Sequence, residues 1–400
     1  MIIAIVVDSY NDRSNGTSMT AFRFARELIR RGHDLRIVAT KPSDMEQDKD
    51  VVIGSEGEKL YFVKERYIPL VTEISHKQHM IFGYPDSKVL ELAIKGCDIV
   101  HFYLPFALEI MGVKICRRLK VPYIGAFHLQ PQHISYNMNM NFDWFNSFIF
   151  RRFYKQFYGY IHHIHCPSKL MEAEIQREGY GGKKYVISNG FQFNVSQSIL
   201  EADCFNDSFF HIASVGRFSK EKRQDILIKA IARSKYSEII KLHLHGIGPR
   251  QEYLQELCSR LLHNSPEFGF IENSLLINKL KYMNLYVHPA QVESEAIACL
   301  EAVSAGVVPV IADSKVSATN QFALDSRSLF ITNDISDLSA KIDYWIENKD
   351  QLEEMKIKYK QSAQNYALDK SIDKIIEVYK EAIEDFSSNP KLFDTFNPLC

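Results

Sequence analysis

The sequence lacks the patterns of a secreted or membrane-spanning protein. Its seven cysteines are scattered, and their odd number and spacing indicate neither a disulfide framework nor a zinc motif. No stretch approaches the roughly 18 apolar residues of a membrane-spanning helix, and the first residues resemble a buried strand more than a signal peptide. We therefore expect a cytoplasmic protein, with any membrane contact being peripheral and on the inner face of the cell membrane.

The chain also lacks low-complexity segments, short repeats and a strong excess of charge. The formal net charge is −1, with 25 Lys and Arg against 20 Asp and Glu up to residue 190 and 23 against 29 after it. This modest asymmetry indicates different partners for the two halves, and we expect no nucleic acid among them. With 400 residues, 46% hydrophobic content and 12% aromatic content, the chain is sufficient for two packed domains.

Strand-like and helix-like segments alternate along the chain, which predicts an α/β protein with parallel sheets covered by helices on both faces. The pattern restarts with a buried strand at 211–215, after a polar segment of weak periodicity. We therefore predict an N-terminal Rossmann-like domain over 1–190, a linker over 191–207 and a C-terminal Rossmann-like domain over 208–368.

The segment 287–311 is the most informative part of the sequence. A buried strand ends at Pro289, and a helix is predicted from about Glu295. Glu293 and Glu301 are eight residues apart, about two helical turns of 3.6 residues, so both carboxylates lie on a broadly similar side near the strand–helix loop. In open parallel sheets this edge is where ligands bind. The alternative interpretation is a pair of glutamates on a solvated helix.

This layout resembles the E-x7-E signature of retaining glycosyltransferases of the GT-B fold, sequence family 4. The resemblance implies two Rossmann-like domains facing a central cleft, with a helix within 369–400 that crosses back to the first domain. It also implies that Glu301 holds the ribose hydroxyls of a nucleotide-sugar donor and that Glu293 contacts the sugar near its anomeric carbon. The backbone at Ala296 and Ile297 would reach the sugar and phosphate.

The chain departs from the family in this segment. Many members have a glycine where Ala296 stands, and Glu295 is an additional charge between the two signature glutamates. We expect Glu295 either to alter which sugar is accepted or to act as a carboxylate at a helix N-terminus. At the predicted hinge, Gln192 replaces the acid that usually follows Asn189-Gly190.

Two basic residues follow the first strand of the second half. Arg217 and Lys222 lie in Gly-Arg-Phe-Ser-Lys-Glu-Lys, which is similar to the Gly-Arg and Glu-Lys pattern of the family. Departure of a nucleoside diphosphate builds negative charge, which a guanidinium and an ammonium neutralise most strongly in the transition state. The resemblance implies this role for both residues, with no metal and no other cofactor. The alternative is ordinary surface charge.

Two first-domain residues complete the predicted donor site. Gly16 lies in a loop after the first strand, where the family resemblance implies a close approach of the backbone to diphosphate or sugar. Many members have two adjacent glycines there, and a simple turn explains the loop equally well. His128 follows a buried strand in Gly-Ala-Phe-His-Leu-Gln-Pro. The resemblance implies that it orients the donor sugar or relays a proton.

The acceptor side is predicted from an aromatic segment at 142–165 with interleaved basic residues. Trp144, Arg151, Arg152 and Lys155 belong to a pattern that is typical of helices at anionic membrane surfaces. The alternative is an ordinary helix whose aromatic residues pack on the sheet. The loop that begins at Gln130 is predicted to form a wall or lid for the acceptor.

We therefore expect a retaining hexosyltransferase that uses a nucleotide-diphosphate sugar, with a UDP-sugar favoured. The whole chain resembles bacterial enzymes that glycosylate diacylglycerol or related lipids, so we expect a membrane lipid such as diacylglycerol or ceramide as acceptor. A glycosyltransferase that acts on a capsule, exopolysaccharide or other glycan precursor is the alternative. A pyridoxal-phosphate-dependent phosphorylase and a non-catalytic sugar-nucleotide-binding subunit are further alternatives.

Overall fold

The structure is a computed structural model that describes residues 1–10, 16–42, 51–69, 71–76, 80–138, 140–192, 207–394 and 396. The predicted loop residues Ser14 and Asn15, most of the predicted linker and the last four residues of the chain lie outside this description. The chain divides into two compact units. Unit 1 comprises Met1–Pro131, Asn141–Asn189 and Leu368–Cys400, and unit 2 comprises Gln132–Met140 and Gly190–Ala367.

The described part of unit 1 contains one eight-stranded sheet. Its strands in chain order are β1 (Ile2–Val6), β2 (Asp34–Thr40), β3 (Val51–Ile53), β4 (Lys59–Val63), β5 (Ile99–Phe102), β6 (Tyr123–Ala126), β7 (His163–Cys166) and β8 (Lys183–Val186). The spatial order is β3-β4-β2-β1-β5-β6-β7-β8, and only the edge pair β3–β4 is antiparallel among the described strands. The order reverses between β1 and β5, as in Rossmann folds.

Helices connect the strands of unit 1 and cover its sheet. They are α1 (Gly16–Arg30), α2 (Val71–His76), α3 (Ser87–Ile94), α4 (Ala107–Leu119), α6 (Asp143–Gln156), α7 (Lys169–Arg177) and α14 (Leu368–Ser388). The last helix, α14, buries Ile372, Ile375 and Tyr379 in the same apolar core as β1 and α1. It therefore belongs to the first unit although it follows the second in sequence.

Unit 2 contains a six-stranded parallel sheet in the described residues. Its strands are β9 (Phe210–Val215), β10 (Ile240–His245), β11 (Glu267–Gly269), β12 (Leu285–His288), β13 (Val308–Asp313) and β14 (Leu329–Ile331). Their order, β11-β10-β9-β12-β13-β14, is that of a Rossmann sheet. The helices are α5 (Pro131–Asn137), of which all but Pro131 belongs to this unit, α8 (Gln224–Arg233), α9 (Gln251–Leu261), α10 (Asn273–Leu280), α11 (Ile297–Ser304), α12 (Ile335–Glu347) and α13 (Lys349–Ala363).

Central strands of both sheets are buried and mostly apolar because helices cover both of their faces. In β12, all four residues are buried, and in β5 the same holds. The predicted α/β architecture with parallel sheets is therefore confirmed. In the described part of the chain, no helix combines the length and the apolar character that a bilayer span requires.

Two predictions about local structure were wrong. The segment from Gln130, which we interpreted as a loop, forms helix α5, because Pro131 has the backbone angle of a first helical residue and needs no amide donor there. The helix of the signature segment begins at Ile297 and not near Glu295. The helix cannot start earlier because Ala296 has a left-handed φ of 70°, which a right-handed helix does not allow.

Glycine is required where the loop after β10 packs against the loop after β9. A Cβ atom added to Gly246 would lie 2.0 Å from the carbonyl oxygen of Gly216, and one added to Gly248 would lie 2.6 Å from that of Phe218. Both glycines also have a φ of 155°. The backbones of these two loops therefore approach each other more closely than any side chain would allow.

We predict that Gly246→Ala destabilises unit 2 by about 3 kcal/mol or more, because the new methyl group meets backbone that cannot move aside. Gly16→Ala is the control, since a Cβ atom there would meet no heavy atom of the described residues within 4 Å. We expect the control to change stability by less than about 0.5 kcal/mol. Urea unfolding followed by circular dichroism measures both changes, and equal midpoints for the two variants would contradict the prediction.

Candidate functional site

The order of the strands in unit 2 reverses between β9 and β12, which are neighbours in the sheet. In parallel α/β sheets, ligands bind beyond the carboxyl ends of the strands at this reversal. The loop after β9 carries Arg217 and Lys222, and the loop after β12 carries Glu293. The topology thus places Arg217 and Lys222 at the same edge of the sheet as Glu293, which lies about seventy positions further along the sequence.

Glu293 is the centre of a buried polar cluster at this edge. Its carboxylate forms an ion pair with the ammonium group of Lys222. Oε1 of Glu293 also lies 3.0 Å from Nε2 of His288, and Nδ1 of His288 lies 3.2 Å from the hydroxyl of Tyr286. Because a carboxylate only accepts hydrogen bonds, Nε2 of His288 is the donor to Glu293. The hydroxyl of Tyr286 also lies 3.3 Å from the carbonyl of Val215, to which it donates.

The ion pair keeps Glu293 charged in spite of its burial. Burial alone would raise the pKa of Glu293, but the charge of Lys222 and the hydrogen bond from His288 outweigh it and hold the pKa well below its usual value. A carboxylate with a lowered pKa stabilises the fold above its ordinary titration range and loses that contribution only in strong acid. At neutral pH Glu293 is therefore an ionised carboxylate beside the side chain of Lys222.

The loop after β9 is held by short hydrogen bonds of its own. A single 3-10 turn covers Lys220–Lys222, and the hydroxyl of Ser219 donates to Glu221 over 2.6 Å. The side-chain amide of Gln224 donates to the carbonyl of Arg217 over 2.9 Å. These contacts fix the loop on the start of α8, so the two basic side chains project from a defined backbone.

Helix α5 adds a residue that the sequence reasoning did not single out. His133 lies within electrostatic reach of Lys222 and Arg217. Burial, followed by the charge of Lys222, lowers the pKa of His133 to about 4, against the opposing influence of Glu221. A neutral imidazole therefore stands beside the basic loop. In the sequence, only its position in Gln-Pro-Gln-His set this histidine apart. The packing of α5 in unit 2 shows that it lies near the charged groups of the loop after β9.

His288 and Asn273 were also missed. His288 is the last residue of β12 and directly precedes the predicted loop, so a polar residue at a strand end was the available signal. Asn273 opens α10, far from the signature in sequence, and its side-chain amide donates to Oε1 of Glu301 over 3.1 Å. Glu301 lies on α11 and is buried, and this hydrogen bond orients its carboxylate.

The start of α11 is strained. Ala296 has φ 70° and ψ 67°, a left-handed conformation that favours glycine. The turn directs the first amides of α11, including that of Ile297, out of the helix N-terminus. Glu295 is buried and lies close enough to Tyr366 to contribute to the raised pKa of that phenol, after the larger effect of burial.

The predicted residues of unit 1 lie at the carboxyl edge of its own sheet. His128 follows β6 and is buried, with its ring centroid 5.1 Å from those of Tyr103 and of His165. Burial and the nearby His165 hold the pKa of His128 well below its usual value, so the ring is neutral. Gly16 is the first residue of α1.

The residues predicted for the acceptor divide into two groups. Gln130 is fully buried and donates to Glu174 over 3.2 Å, so its side chain presents no surface to an acceptor. Trp144, by contrast, is 66% exposed. On the same helix, the three basic side chains are also exposed: Arg151, Arg152 and Lys155. The opposite face of α6 packs on the sheet through Phe150 and Phe153.

Comparison with known proteins gives two family matches that together span most of the chain. Residues 14–194 match the family described as Glycosyltransferase Family 4. Residues 200–366 match the family described as Glycosyl transferases group 1. The boundary between the two matches falls near the division between the two units.

Curated relatives are similar over about three quarters of the chain. A GDP-mannose-dependent alpha-mannosyltransferase of Corynebacterium glutamicum is 24% identical, over 77% of this chain and 71% of the relative. An alpha-monoglucosyldiacylglycerol synthase of Streptococcus pneumoniae is 25% identical, over 78% of this chain and 71% of the relative. The first name gives GDP-mannose as the donor, and the second gives a glucosylated diacylglycerol as the product.

Two solved structures are similar to this chain, one in fold and one in sequence. Anabaena HepE, in complex with UDP and glucose, is 18% identical with a TM-score of 0.73, over 95% of this chain and 99% of that chain. The catalytic domain of a cholesterol-alpha-glucosyltransferase from Helicobacter pylori is 55% identical with a TM-score of 0.39, over 40% of this chain and all of that domain. The first of these likenesses confirms the predicted GT-B fold.

We predict that Ala296→Gly stabilises unit 2 by up to about 1 kcal/mol. Relief of a left-handed alanine gains roughly 1–2 kcal/mol, and the greater freedom of glycine in the unfolded chain takes part of that back. Ala298→Gly, two residues further on within α11, is the matched control and should destabilise the unit by about 0.5–1 kcal/mol. Chemical unfolding measures the change in the free energy of unfolding for each variant. If both substitutions lower it, strain at Ala296 is contradicted.

Proposed function

Because the chain belongs to the group 1 glycosyltransferases, we propose that it transfers a hexose from a nucleotide-diphosphate sugar to a hydroxyl-bearing membrane lipid such as diacylglycerol or ceramide. A UDP-sugar is the favoured donor. The observation that carries the proposal is the buried pair of Lys222 and Glu293 at the reversal point of the unit 2 sheet. There a cation and a carboxylate can meet the diphosphate and the sugar of one donor molecule.

In this mechanism Lys222 and Arg217 neutralise the negative charge that develops on the departing diphosphate. Glu293 accepts hydrogen bonds from sugar hydroxyls near the anomeric carbon, and it keeps Lys222 in place before the donor binds. Glu301, already oriented by Asn273, accepts hydrogen bonds from the two ribose hydroxyls of the nucleotide. We expect these charges to suffice without a metal ion in the transfer step.

We propose that the transfer retains the anomeric configuration. The acceptor hydroxyl would attack from the face that the diphosphate leaves, and an oxygen of the diphosphate would take its proton. The C–O bond to the diphosphate breaks as the new glycosidic bond forms. His128 would orient the donor sugar, and its neutral ring can accept or donate a hydrogen bond there.

The exposed face of α6 supports a lipid acceptor. Trp144 and Phe148 are 66% and 54% exposed and are four residues apart, so they share one side of the helix. Arg151, Arg152 and Lys155 continue that side toward the C-terminus of the helix. Aromatic and basic side chains on one helix face bind anionic membrane surfaces, where each basic residue adds roughly 1 kcal/mol. Peripheral contact with a membrane would bring a lipid substrate to the enzyme.

One observation favours a second donor. The mannosyltransferase of Corynebacterium glutamicum, which is similar over 77% of the chain, is named for GDP-mannose. Transfer of mannose from GDP-mannose to a lipid or a glycan precursor is therefore the alternative function.

The decisive experiment measures transfer and hydrolysis by the purified protein with UDP-glucose, UDP-galactose, UDP-GlcNAc and GDP-mannose. Each donor is tested alone and with liposomes that contain diacylglycerol, ceramide or cholesterol, the last being the acceptor named for the Helicobacter pylori enzyme. We expect one donor to be consumed in a lipid-dependent reaction that forms a glycolipid. Donor binding with transfer only to a glycan would reject the lipid acceptor, and binding without any transfer would indicate a non-catalytic subunit.

We predict that Lys222→Met or Arg217→Ala lowers kcat by about 10²–10³, because a charge that stabilises the leaving diphosphate is lost. Lys220→Met is the matched control, since Lys220 is exposed on the same 3-10 turn, and it should keep near-normal turnover. Steady-state kinetics with the donor found above measures both. Full turnover by Lys222→Met would rule out its assigned role.

We also predict that Trp144→Ser combined with Phe148→Ser weakens binding to anionic liposomes at least tenfold without changing stability, because both side chains are mostly solvent-exposed. Phe270→Ser, which removes a 54% exposed phenylalanine in unit 2, is the control. Co-sedimentation with phosphatidylglycerol vesicles measures the change. Equal sedimentation of the double variant and the control would argue against α6 as the membrane-binding face.

A further inference from the structure

We infer that unit 2 carries a binding site for a divalent transition-metal ion of the zinc class, formed by His243, His245 and Glu267. One potential ligand atom from each of these residues lies within 4.8 Å of the others. None of the three belongs to the donor site described above. Two imidazoles and one carboxylate are a donor set that zinc prefers, with a water molecule as a fourth ligand.

The sheet itself aligns the three residues. Strands β10 and β11 are parallel, with His243 opposite Glu267 and His245 opposite Gly269. Residues two apart on a strand face the same side of the sheet, so both histidines point toward Glu267. Nδ1 of His243 lies 2.9 Å from Oε2 of Glu267, close to the roughly 3.3 Å that separates neighbouring ligands in a tetrahedral zinc site.

His245 has the hydrogen bonding of a metal ligand. Its side chain is buried, and its ring is hydrogen-bonded to the backbone of Gly269. Within the described residues, Nε2 of this ring has no hydrogen-bond partner, so the bond to Gly269 comes from Nδ1. An N–H held by a backbone carbonyl leaves the other nitrogen with its lone pair available, which is the usual outer-shell arrangement of zinc-bound histidines.

Hydrogen bonds continue from His243 to a second buried histidine, which holds the His243 ring in place. Nε2 of His243 lies 2.9 Å from Nδ1 of His211, and Nε2 of His211 lies 2.8 Å from Oδ1 of Asp207. Asp207 and Glu267 stand at the two ends of this series of contacts, and their carboxylates only accept hydrogen bonds.

Lys279 would compete with a metal ion for Glu267. The ammonium of Lys279, on α10, forms an ion pair with Glu267. A divalent ion would have to displace it, and the side chain of Glu267 is 40% exposed, which leaves a route from solvent. Bound metal would join the edge strand β11 to β10 through three side chains and so stabilise this edge of the sheet.

The test uses the untagged full chain, freed of metal with a chelator and titrated with Zn²⁺ by calorimetry and with Co²⁺ by visible absorption. We expect one Zn²⁺ per chain, a tetrahedral Co²⁺ spectrum and a higher melting temperature with Zn²⁺. His245→Ala should lose binding, and Glu267→Gln should weaken it at least tenfold. Lys279→Met should bind several-fold more tightly because the competing ammonium is gone.

Glu381→Gln is the matched control. Glu381 belongs to the other cluster of possible ligands found among the described residues, with His163 and Asp385, but that cluster has a single imidazole, and Lys183 binds both carboxylates. The control should bind Zn²⁺ like the unmodified chain. Unchanged affinity in Glu267→Gln, or no stoichiometric uptake by the unmodified chain, overturns the site. If His245→Ala does not fold, the opposite shifts of Glu267→Gln and Lys279→Met decide the question.

Discussion

The candidate site depends on the buried ion pair between Lys222 and Glu293. A carboxylate taken out of water costs several kcal/mol unless a charge and hydrogen bonds replace its hydration, and here Lys222 and His288 supply both. Glu293 thus remains a carboxylate because of Lys222, and both partners can be redirected to a ligand that brings its own charge. A diphosphate sugar is such a ligand, since it offers an anion to Lys222 and hydroxyl groups to Glu293.

The sheet of unit 2 makes this pair possible. The strand order reverses between β9 and β12, which leaves space beyond their carboxyl ends for the two loops to meet. The close approach of Gly246 and Gly248 to the backbone at Gly216 and Phe218 then fixes the loop that bears Arg217 and Lys222. The positions of these basic side chains thus depend on backbone packing at glycines.

Much of the fold could be predicted because parallel α/β structure has strong local signals. Strands β1, β6 and β12 consist mostly of apolar residues and are almost wholly buried, as strands covered on both faces need to be. The start of α11 and the helical state of α5 could not be predicted. In the first case a single alanine adopts a left-handed conformation that its sequence neighbours do not require. In the second, tertiary packing assigns residues of the first half of the chain to the second unit.

The sequence by itself determined the alternation of strands and helices, the two halves, the family resemblance and the signature residues, because periodicity and short motifs are local properties. Only the tertiary structure decided which side chains meet. It paired Lys222 with Glu293, placed His133 beside them, buried Gln130, and aligned His243, His245 and Glu267 across two strands. These contacts join residues that are distant in the chain, and strand order, register and helix packing bring them together in ways that no local pattern encodes.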